Sequence, residues 1–339
     1  MKTDINSPAG DDAASSVAHA NTVLSGVDDL AGITVVGMSP GRQAFRRYLQ
    51  HKGAVISTIV LFVFVMFVIL SPITARYGVN EQVFKISQGN NVNLSPRSVA
   101  WFGTDEIGHD LYSLIIYGVR VSLVIGTASA LVSVLLGAVI GAVAGMRGGL
   151  FDDIMMRITD IFLAFPLIVS LLVMRNVLRA VSWVQPFVGP TGSIRFLVVL
   201  FVVFGWMAVA RLVRAQVMSL KEREFVEAAR AVGATQTRIV ARHIIPNSIG
   251  PLLVSLSLGV VGAIGAEATL SLFGYGPNPG SGQTSLGLLV AGARESVKGS
   301  HWWLSIFPIG VLVLLTLCIS FIGDGLRDAT DPKSSQGRA

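Results

Sequence analysis

Six long apolar runs constrain this chain more than any other feature of its sequence. They have few charged residues and cover about residues 54–73, 118–144, 154–174, 196–217, 248–273 and 303–322. At a rise of about 1.5 Å per residue, a helix of about 20 residues crosses the hydrocarbon layer of a membrane. Only 14% of the residues are charged, against about 25% in soluble domains. The sequence therefore predicts an all-α polytopic membrane protein with six transmembrane helices.

The distribution of positive charge orients these six predicted helices. If the N-terminus lies inside, 17 of the 26 Lys and Arg residues fall on the inner side of the membrane. Cytoplasmic loops carry the excess of Lys and Arg in membrane proteins. We therefore expect a disordered cytoplasmic tail over 1–41, then a basic collar and the first helix over 42–75. An external loop over 76–117, a core of five helices over 118–326 and a cytoplasmic tail over 327–339 follow.

The end of the predicted external loop carries a helix-start signal. Asp105 is a residue type that caps helices, and a helix is expected to begin near Ile107. The stretch 107–117 would then lie along the outer membrane face. The second transmembrane helix would start at Gly118.

Glycines and prolines within the apolar runs indicate how the helices meet. The glycines form two spaced sets, which are Gly137, Gly141 and Gly145 in the second run and Gly259, Gly262 and Gly265 in the fifth. Glycines on one face of a helix let a neighbouring backbone approach closely, so tight packing is predicted for both sets. Pro166 and Pro308 are expected to kink their helices.

Charged residues near the ends of the runs are expected to form ion pairs. The relevant residues are Arg157, Asp160, Arg211, Arg214 and Asp324. Buried charge in a membrane is costly, whereas long side chains near helix ends reach water. Structural pairing is therefore favoured over a proton path.

The segment 224–247 lies between the fourth and fifth runs and has the character of a short charged helix. Glu227, Ala228 and Ala229 are residue types that form helices well. Gly233 interrupts the helix, and Pro246 ends the segment just before the next apolar run. A short helix held at the membrane face suits a docking surface for another protein.

The spacing in this segment resembles the EAA loop of ATP-binding-cassette (ABC) importer permeases. Ala228 and Ala229 follow Glu227, three residues separate them from Gly233, and Pro246 follows two isoleucines. Three further blocks resemble the peptide/opine/nickel branch, and within it the "C" subunit of dipeptide and oligopeptide importers. These blocks are residues 102–113 (FGTDEIGHDLYS), 117–123 (YGVRVSL) and 323–332 (GDGLRDATDP), and the resemblance covers roughly 42–332. The general EAA pattern has an aliphatic residue where His243 stands, and the peptide branch resembles this chain there.

The resemblance implies a type I permease fold and a set of partners. These are a second permease subunit in a heterodimer, two cytoplasmic ATPase domains and an extracytoplasmic substrate-binding protein. ATP and magnesium would bind to the ATPases and not to this chain. The EAA loop, 218–246, would couple ATP hydrolysis to transport through five residues, which are Glu227, Ala228, Ala229, Gly233 and Pro246. Di- or oligopeptides are the cargo that the branch favours, with nickel or opines as alternatives.

Glu267 is the ionisable residue within a run that pairing near a membrane surface does not explain. It lies about 20 residues into the fifth run, near the predicted outer end. Two interpretations stay open: Glu267 faces the translocation path and meets a substrate amine, or it pairs with a partner subunit.

The sequence argues against catalysis, metal binding and nucleic-acid binding by this chain. Its one cysteine, Cys318, lies inside an apolar run, and neither His-Glu-x-x-His nor a phosphate-loop Gly-Lys pair occurs. The net charge of +6 is attributed to cytoplasmic loops, because no basic patch is interleaved with aromatic residues. Two alternatives from other classes remain. An ion-gradient-driven transporter would need carboxylates at mid-depth and an inverted repeat, and the other alternative is a membrane scaffold.

Overall fold

The computed structural model of this 339-residue chain describes residues 40–83, 92–277, 283–296 and 300–330. The tail predicted to be disordered lies outside the described residues except at 40 and 41. Apart from the start of the first helix, the elements below belong to the unit Ala44–Ala339. In the described ranges the secondary structure is helical, apart from two isolated bridges that pair Gln82 with His109 and Thr104 with Asp110.

The helices follow one another along the chain with short connections. Their bounds are α1 Pro40–Gln50, α2 Lys52–Ile69, α3 Ser71–Thr74, α4 Leu111–Arg147, α5 Gly149–Leu163, α6 Leu167–Ala180, a 3-10 turn Ser182–Val184, α7 Gln185–Val188, α8 Ile194–Leu220, α9 Glu224–Ala231, α10 Gln236–Ile239, a π turn Val240–Ile244, α11 Ile245–Asn247, α12 Ile249–Leu272, α13 Leu286–Ser296 and α14 Trp303–Thr330. Five of them, α2, α4, α8, α12 and α14, are long and apolar enough to cross a membrane. The pair α5 and α6 passes the same test together and is bent by 104°.

The bend between α5 and α6 replaces the straight third helix that the sequence predicts. Pro166 is the N-cap residue of α6, with an extended ψ of 125°. A proline ring excludes the helical hydrogen bond that would carry α5 through this point. The kink predicted at Pro166 is therefore confirmed as a full break. Pro308, in contrast, lies inside α14, which is assigned as one continuous helix.

The start of α4 differs from the prediction. Asp110, not Asp105, is the N-cap: its Oδ2 accepts from the Ser113 amide at 3.0 Å and the Ser113 hydroxyl at 2.7 Å. Asp105 instead accepts from the amides of two residues within a turn. Gly108, with φ of +89°, reverses the backbone between the two aspartates. A helix therefore cannot begin at Ile107, and α4 runs without interruption through Gly118, so the stretch 111–117 does not lie along a membrane face.

Close packing of α4 on α8 confirms the first glycine prediction. A Cβ at each of Gly137, Gly141 and Gly145 would lie within 3.0 Å of α8 atoms. Their neighbours on α8, which are Trp206, Ala210 and Val217, advance in the same order. The two helices are therefore parallel, with their backbones in near contact.

The second glycine set packs only in part. A Cβ at Gly259 would meet the Ala130 Cβ at 3.2 Å, whereas Gly262 and Gly265 have no such neighbour within 4 Å. Tight packing is therefore wrong for the last two, because the next element in space does not reach this face of α12. Gly262 instead lines a cavity.

Two ion pairs join α8 to α5, as the sequence predicts. Arg214 donates to both carboxylate oxygens of Asp152, at 2.5 and 2.6 Å, and Arg211 pairs with Asp160. Bidentate guanidinium–carboxylate geometry is among the stronger polar contacts in proteins. These pairs hold the first half of the bent element against α8.

The helix directions define two ends of the bundle. Because α12 runs antiparallel to α4, Gly259 meets Ala130 while Glu267 meets Ser122. The N-terminal ends of α4 and α8 and the C-terminal end of α12 therefore lie together. We call this the far end, and it also carries α13 and residues 92–110. The opposite end, which we call the EAA end, carries residues 224–247.

Candidate functional site

The turn at Gly233 gives the EAA segment its shape. Gly233 has φ of +83°, which L-residues with a side chain rarely adopt. Its amide donates to the Arg230 carbonyl and the Ala234 amide to the Ala229 carbonyl, each at 3.0 Å. These two bonds form a Schellman motif, which ends α9 and satisfies its last carbonyls. The predicted interruption of the helix at Gly233 is confirmed.

Three apolar side chains fix this segment to the bundle. Val226, Ile239 and Ile244 are each 0% exposed. They join the cluster in which Val213 and Val217 of α8 pack against the last turns of α4. Complete burial of such side chains stabilises by roughly 1.5–3 kcal/mol each. The segment is therefore a fixed extension of α8 and α4.

The opposite side of the segment forms an open groove of about 600 Å³. Three of the five predicted coupling residues, Ala228, Ala229 and Gly233, line it. Glu227 and Pro246 are exposed but lie outside the lining. The structure therefore brings together the small residues of the motif and leaves its carboxylate and its proline at the margin.

The groove also contains residues that the motif comparison missed. Phe225 and Val232 are 41% and 86% exposed, although both are apolar. Arg238, Arg242 and His243 complete the lining. The available signal was the spacing of seven residues between Phe225 and Val232, which places both on one helix face. An exposed apolar surface with a basic margin is typical of a protein–protein contact.

A second cavity, of about 610 Å³, lies among the membrane-spanning helices. It is lined by α4, the bent pair α5 and α6, α8 and α12. The described residues in its lining are apolar side chains, glycines and serines, without an ionisable group. Ser129 is 2% exposed, and its hydroxyl, in this lining, has no hydrogen-bond partner. Such a wall offers hydroxyl groups and shape to a solute, and no fixed charge.

Glu267 lies beside this cavity but not in its lining. Its neighbour Ala266 lines the cavity, whereas the Glu267 side chain is 0% exposed. The hydroxyls of Ser122, Ser271 and Ser285 donate to it at 3.2, 2.8 and 2.6 Å. The role of Glu267 in a substrate path remains a prediction, and its contacts in this chain are to other elements of the bundle.

Comparison with protein families identifies the class. Residues 137–336 match the model of the binding-protein-dependent transport system inner membrane component. Residues 39–96 match the N-terminal TM domain of oligopeptide transport permease C. The chain belongs to the family of inner membrane components of binding-protein-dependent transport systems, the permeases of ABC importers. Membership in this family replaces the two alternatives from other classes.

Individual relatives agree with this assignment along most of the chain. The oligopeptide transport system permease protein OppC of Escherichia coli K12 is 39% identical over 306 residues, covering 89% of this chain and 94% of the relative. The dipeptide transport system permease protein DppC of Bacillus subtilis 168 is 36% identical over 301 residues, covering 87% of each. OppC of Mycobacterium tuberculosis H37Rv is 35% identical over 289 residues, covering 85% of this chain and 93% of the relative.

A solved structure shares the fold. A chain from the MetNI methionine ABC transporter in inward-facing conformations matches with a TM-score of 0.50 and 22% identity, covering 64% of this chain and 96% of that chain. At this identity the match concerns the fold alone. It supports the permease fold that the sequence predicts. The protein is accordingly a multi-pass inner membrane permease subunit.

Proposed function

We propose that this chain is the permease subunit of an ABC importer for di- and oligopeptides. The observation that carries the proposal is the similarity to oligopeptide and dipeptide permeases along nearly the whole length of both chains. The cavity lined by apolar groups and serines fits such cargo, since peptides of different side chains share only their backbone. A wall without fixed charge does not select among those side chains.

The groove of the EAA segment is the docking surface for a partner ATPase. Support comes from Val232 and Phe225, which are apolar and exposed, and from the basic residues Arg238 and Arg242 at the margin. Two ATPase domains would bind ATP and magnesium and hydrolyse ATP, and this chain would contribute no catalytic residue. A push on the groove passes to α8 and α4 through the buried side chains of the segment.

The remaining partners and the orientation follow from this arrangement. A second permease subunit would complete the path, and a substrate-binding protein would deliver peptide at the far end. Both termini and the EAA end would lie in the cytoplasm, in accord with the excess of Lys and Arg there. In a Cys318→Ser background, an impermeant thiol reagent should label Glu106→Cys from outside and should not label Thr235→Cys. Both positions are exposed, so the reverse pattern would overturn this orientation.

Uptake by a deletion strain tests the cargo. Loss of the gene should abolish uptake of a labelled tripeptide and confer resistance to a toxic peptide analogue, and the gene in trans should restore both. Nickel uptake, measured in the same strains, should not change. A strain that keeps its sensitivity to the analogue and loses nickel uptake would assign this chain to the nickel members of the branch.

A pair of aspartate substitutions tests the docking surface. Val232→Asp places a charge in the groove, whereas Thr237→Asp places one on an exposed position of the same segment outside the lining. We expect Val232→Asp to prevent co-purification of the ATPase subunits and to stop uptake. Thr237→Asp should retain both. Equal behaviour of the two variants would contradict docking at the groove.

A further inference from the structure

The carboxyl group of Glu267 is surrounded by hydrogen-bond donors from three different elements. Ser122 lies on α4, Ser271 on α12 itself, and Ser285 directly precedes α13. All four residues are at most 3% exposed. A buried carboxyl group needs such donors, because it has no water to replace them.

The N-terminus of α13 sits directly on this carboxyl group. The Ser285 hydroxyl, which donates to Glu267, accepts from the Leu288 amide at 3.0 Å. The Ser122 hydroxyl, which also donates to Glu267, accepts from the Leu286 amide at 3.1 Å. Two of the free amides in the first turn of α13 are thereby satisfied by hydroxyls that the carboxyl group orients.

Gly287 shows how closely α13 approaches α12. A Cβ at this position would lie 2.8 Å from both carboxyl oxygens of Glu267 and 2.5 Å from the Ala268 Cα. A Cβ is essentially never this close to backbone atoms, so only glycine fits here. The contact is therefore built for backbone approach and leaves no space for a solute between Glu267 and α13.

The same turn of α12 faces the membrane cavity on its other side. Ala263 and Ala266 line the cavity, and Ser129 lines it from α4. Glu267 thus connects α13 to the two helices that form part of the cavity wall. A displacement of these helices that changes the cavity must either carry α13 along or break the hydrogen bonds at Glu267.

We infer that Glu267 is a positioning residue that fixes the start of α13 to α4 and α12, so that the three move as one body during transport. The inference rests on the proposed transport function. It replaces contact between Glu267 and a substrate amine by contact with serine hydroxyls. Glu267 then affects the rate of transport and not the choice of peptide.

The central experiment replaces the carboxyl group by a covalent bond. The hydroxyls of Ser271 and Ser285 both donate to Oε1 of Glu267, so cysteines at these positions lie close enough for a disulfide after a small shift. In a Cys318→Ser background, Glu267→Ala should lower the rate of peptide uptake by about tenfold or more, because three buried hydroxyls lose their acceptor. Adding Ser271→Cys and Ser285→Cys should restore uptake under oxidising conditions, and reduction should remove it again.

Control variants separate positioning from substrate contact. Glu267→Gln keeps one carbonyl oxygen as acceptor and should lose at most several-fold of the rate, with the same peptides transported. The same cysteine pair with Glu267 intact should transport when oxidised. The inference is overturned if the disulfide forms in the Glu267→Ala protein and uptake stays absent. It is also overturned if the disulfide blocks the protein that retains Glu267, or if Glu267→Ala transports normally.

A labelling measurement keeps the question independent of transport. Ala293 on α13 is 3% exposed, so Ala293→Cys in the Cys318→Ser background should react slowly with a water-soluble thiol reagent. Adding Glu267→Ala should accelerate this reaction, and the disulfide between positions 271 and 285 should slow it again. An unchanged labelling rate would refute the positioning role. A wild-type protein that imports no peptide would refute the proposed function and leave this readout intact.

Discussion

Replacing Gly141 by alanine should destabilise the protein through the contact between α4 and α8. The new Cβ would lie within 3.0 Å of the Ala210 backbone, and a backbone cannot rotate away as a side chain can. Overpacking of this kind costs about 1–3 kcal/mol. Alanine also favours a helix over glycine by about 1 kcal/mol, so the clash must be measured against a matched glycine.

Gly310 on α14 provides that control, because a Cβ there has no such neighbour within 4 Å. Gly310→Ala receives the helical preference without the clash. The free energies of unfolding of the two variants should therefore differ by about 1–3 kcal/mol, with Gly141→Ala the less stable. At about 2–4 °C per kcal/mol this corresponds to several degrees in Tm.

Cys318 supplies the assay. It is the only cysteine of the chain and is 4% exposed, so a thiol-reactive dye reports its exposure as the purified protein unfolds in detergent. The melting temperature of Gly141→Ala should be the lower of the two. Equal melting temperatures would show that α8 can withdraw from α4 at no cost, and would refute the close-packed interface.

Three further variants test other parts of the structure. Gly233→Ala strains a left-handed turn by about 1–2 kcal/mol, as does Gly274→Ala at the far end, where φ is +78° and the Cβ is equally free; only the former should uncouple ATP hydrolysis from uptake, and equal loss would contradict a special role of Gly233. Arg214→Ala leaves the carboxylate of Asp152, which is 6% exposed, without its partner, and should lower the melting temperature more than Arg214→Ala combined with Asp152→Ala; a larger effect of the double variant would refute the pairing. Burial raises the pKa of Asp110 above 3.8, against the hydrogen bonds from Ser113. The folded state therefore holds this proton more tightly than the unfolded state, and the contribution of Asp110 to stability should rise as pH falls through the raised pKa. Asp110→Asn should remove this dependence of the melting temperature on pH, and an unchanged profile would show that Asp110 does not titrate there.

Apolar runs and charge pairs were predictable from the sequence because each rests on one strong term. A membrane requires about 20 apolar residues per crossing, and a buried Arg requires a carboxylate. The break at Pro166 was visible for a similar reason, since a proline removes a helical donor wherever it stands. Its angle was not, because the angle depends on how α5 and α6 pack against other helices.

The failures at Asp105 and Gly262 have a common physical cause. Both Asp105 and Asp110 can cap a helix, and the choice depends on the turn at Gly108 and on the burial of Asp110. Glycines at similar spacing in α4 and α12 differ because α8 covers one face and leaves the other open. Which helix stands opposite a residue is a tertiary property, and a single sequence does not contain it. The exposed apolar residues of the groove were missed because an apolar side chain is normally assigned to the core.

The unbroken length of α4 makes it a lever. Its 37 residues correspond to about 55 Å, while its glycine contact with α8 is centred near Gly141, close to the EAA end. The arm from Gly141 to Leu111 is about 45 Å long, and the arm from Gly141 to Ser122 is about 28 Å. A rotation of about 5° about the glycine contact would therefore displace the N-terminus of α4 by about 4 Å and Ser122 by about 2.5 Å. A small movement beside the groove is thus amplified at the far end of the membrane, where α13 is attached.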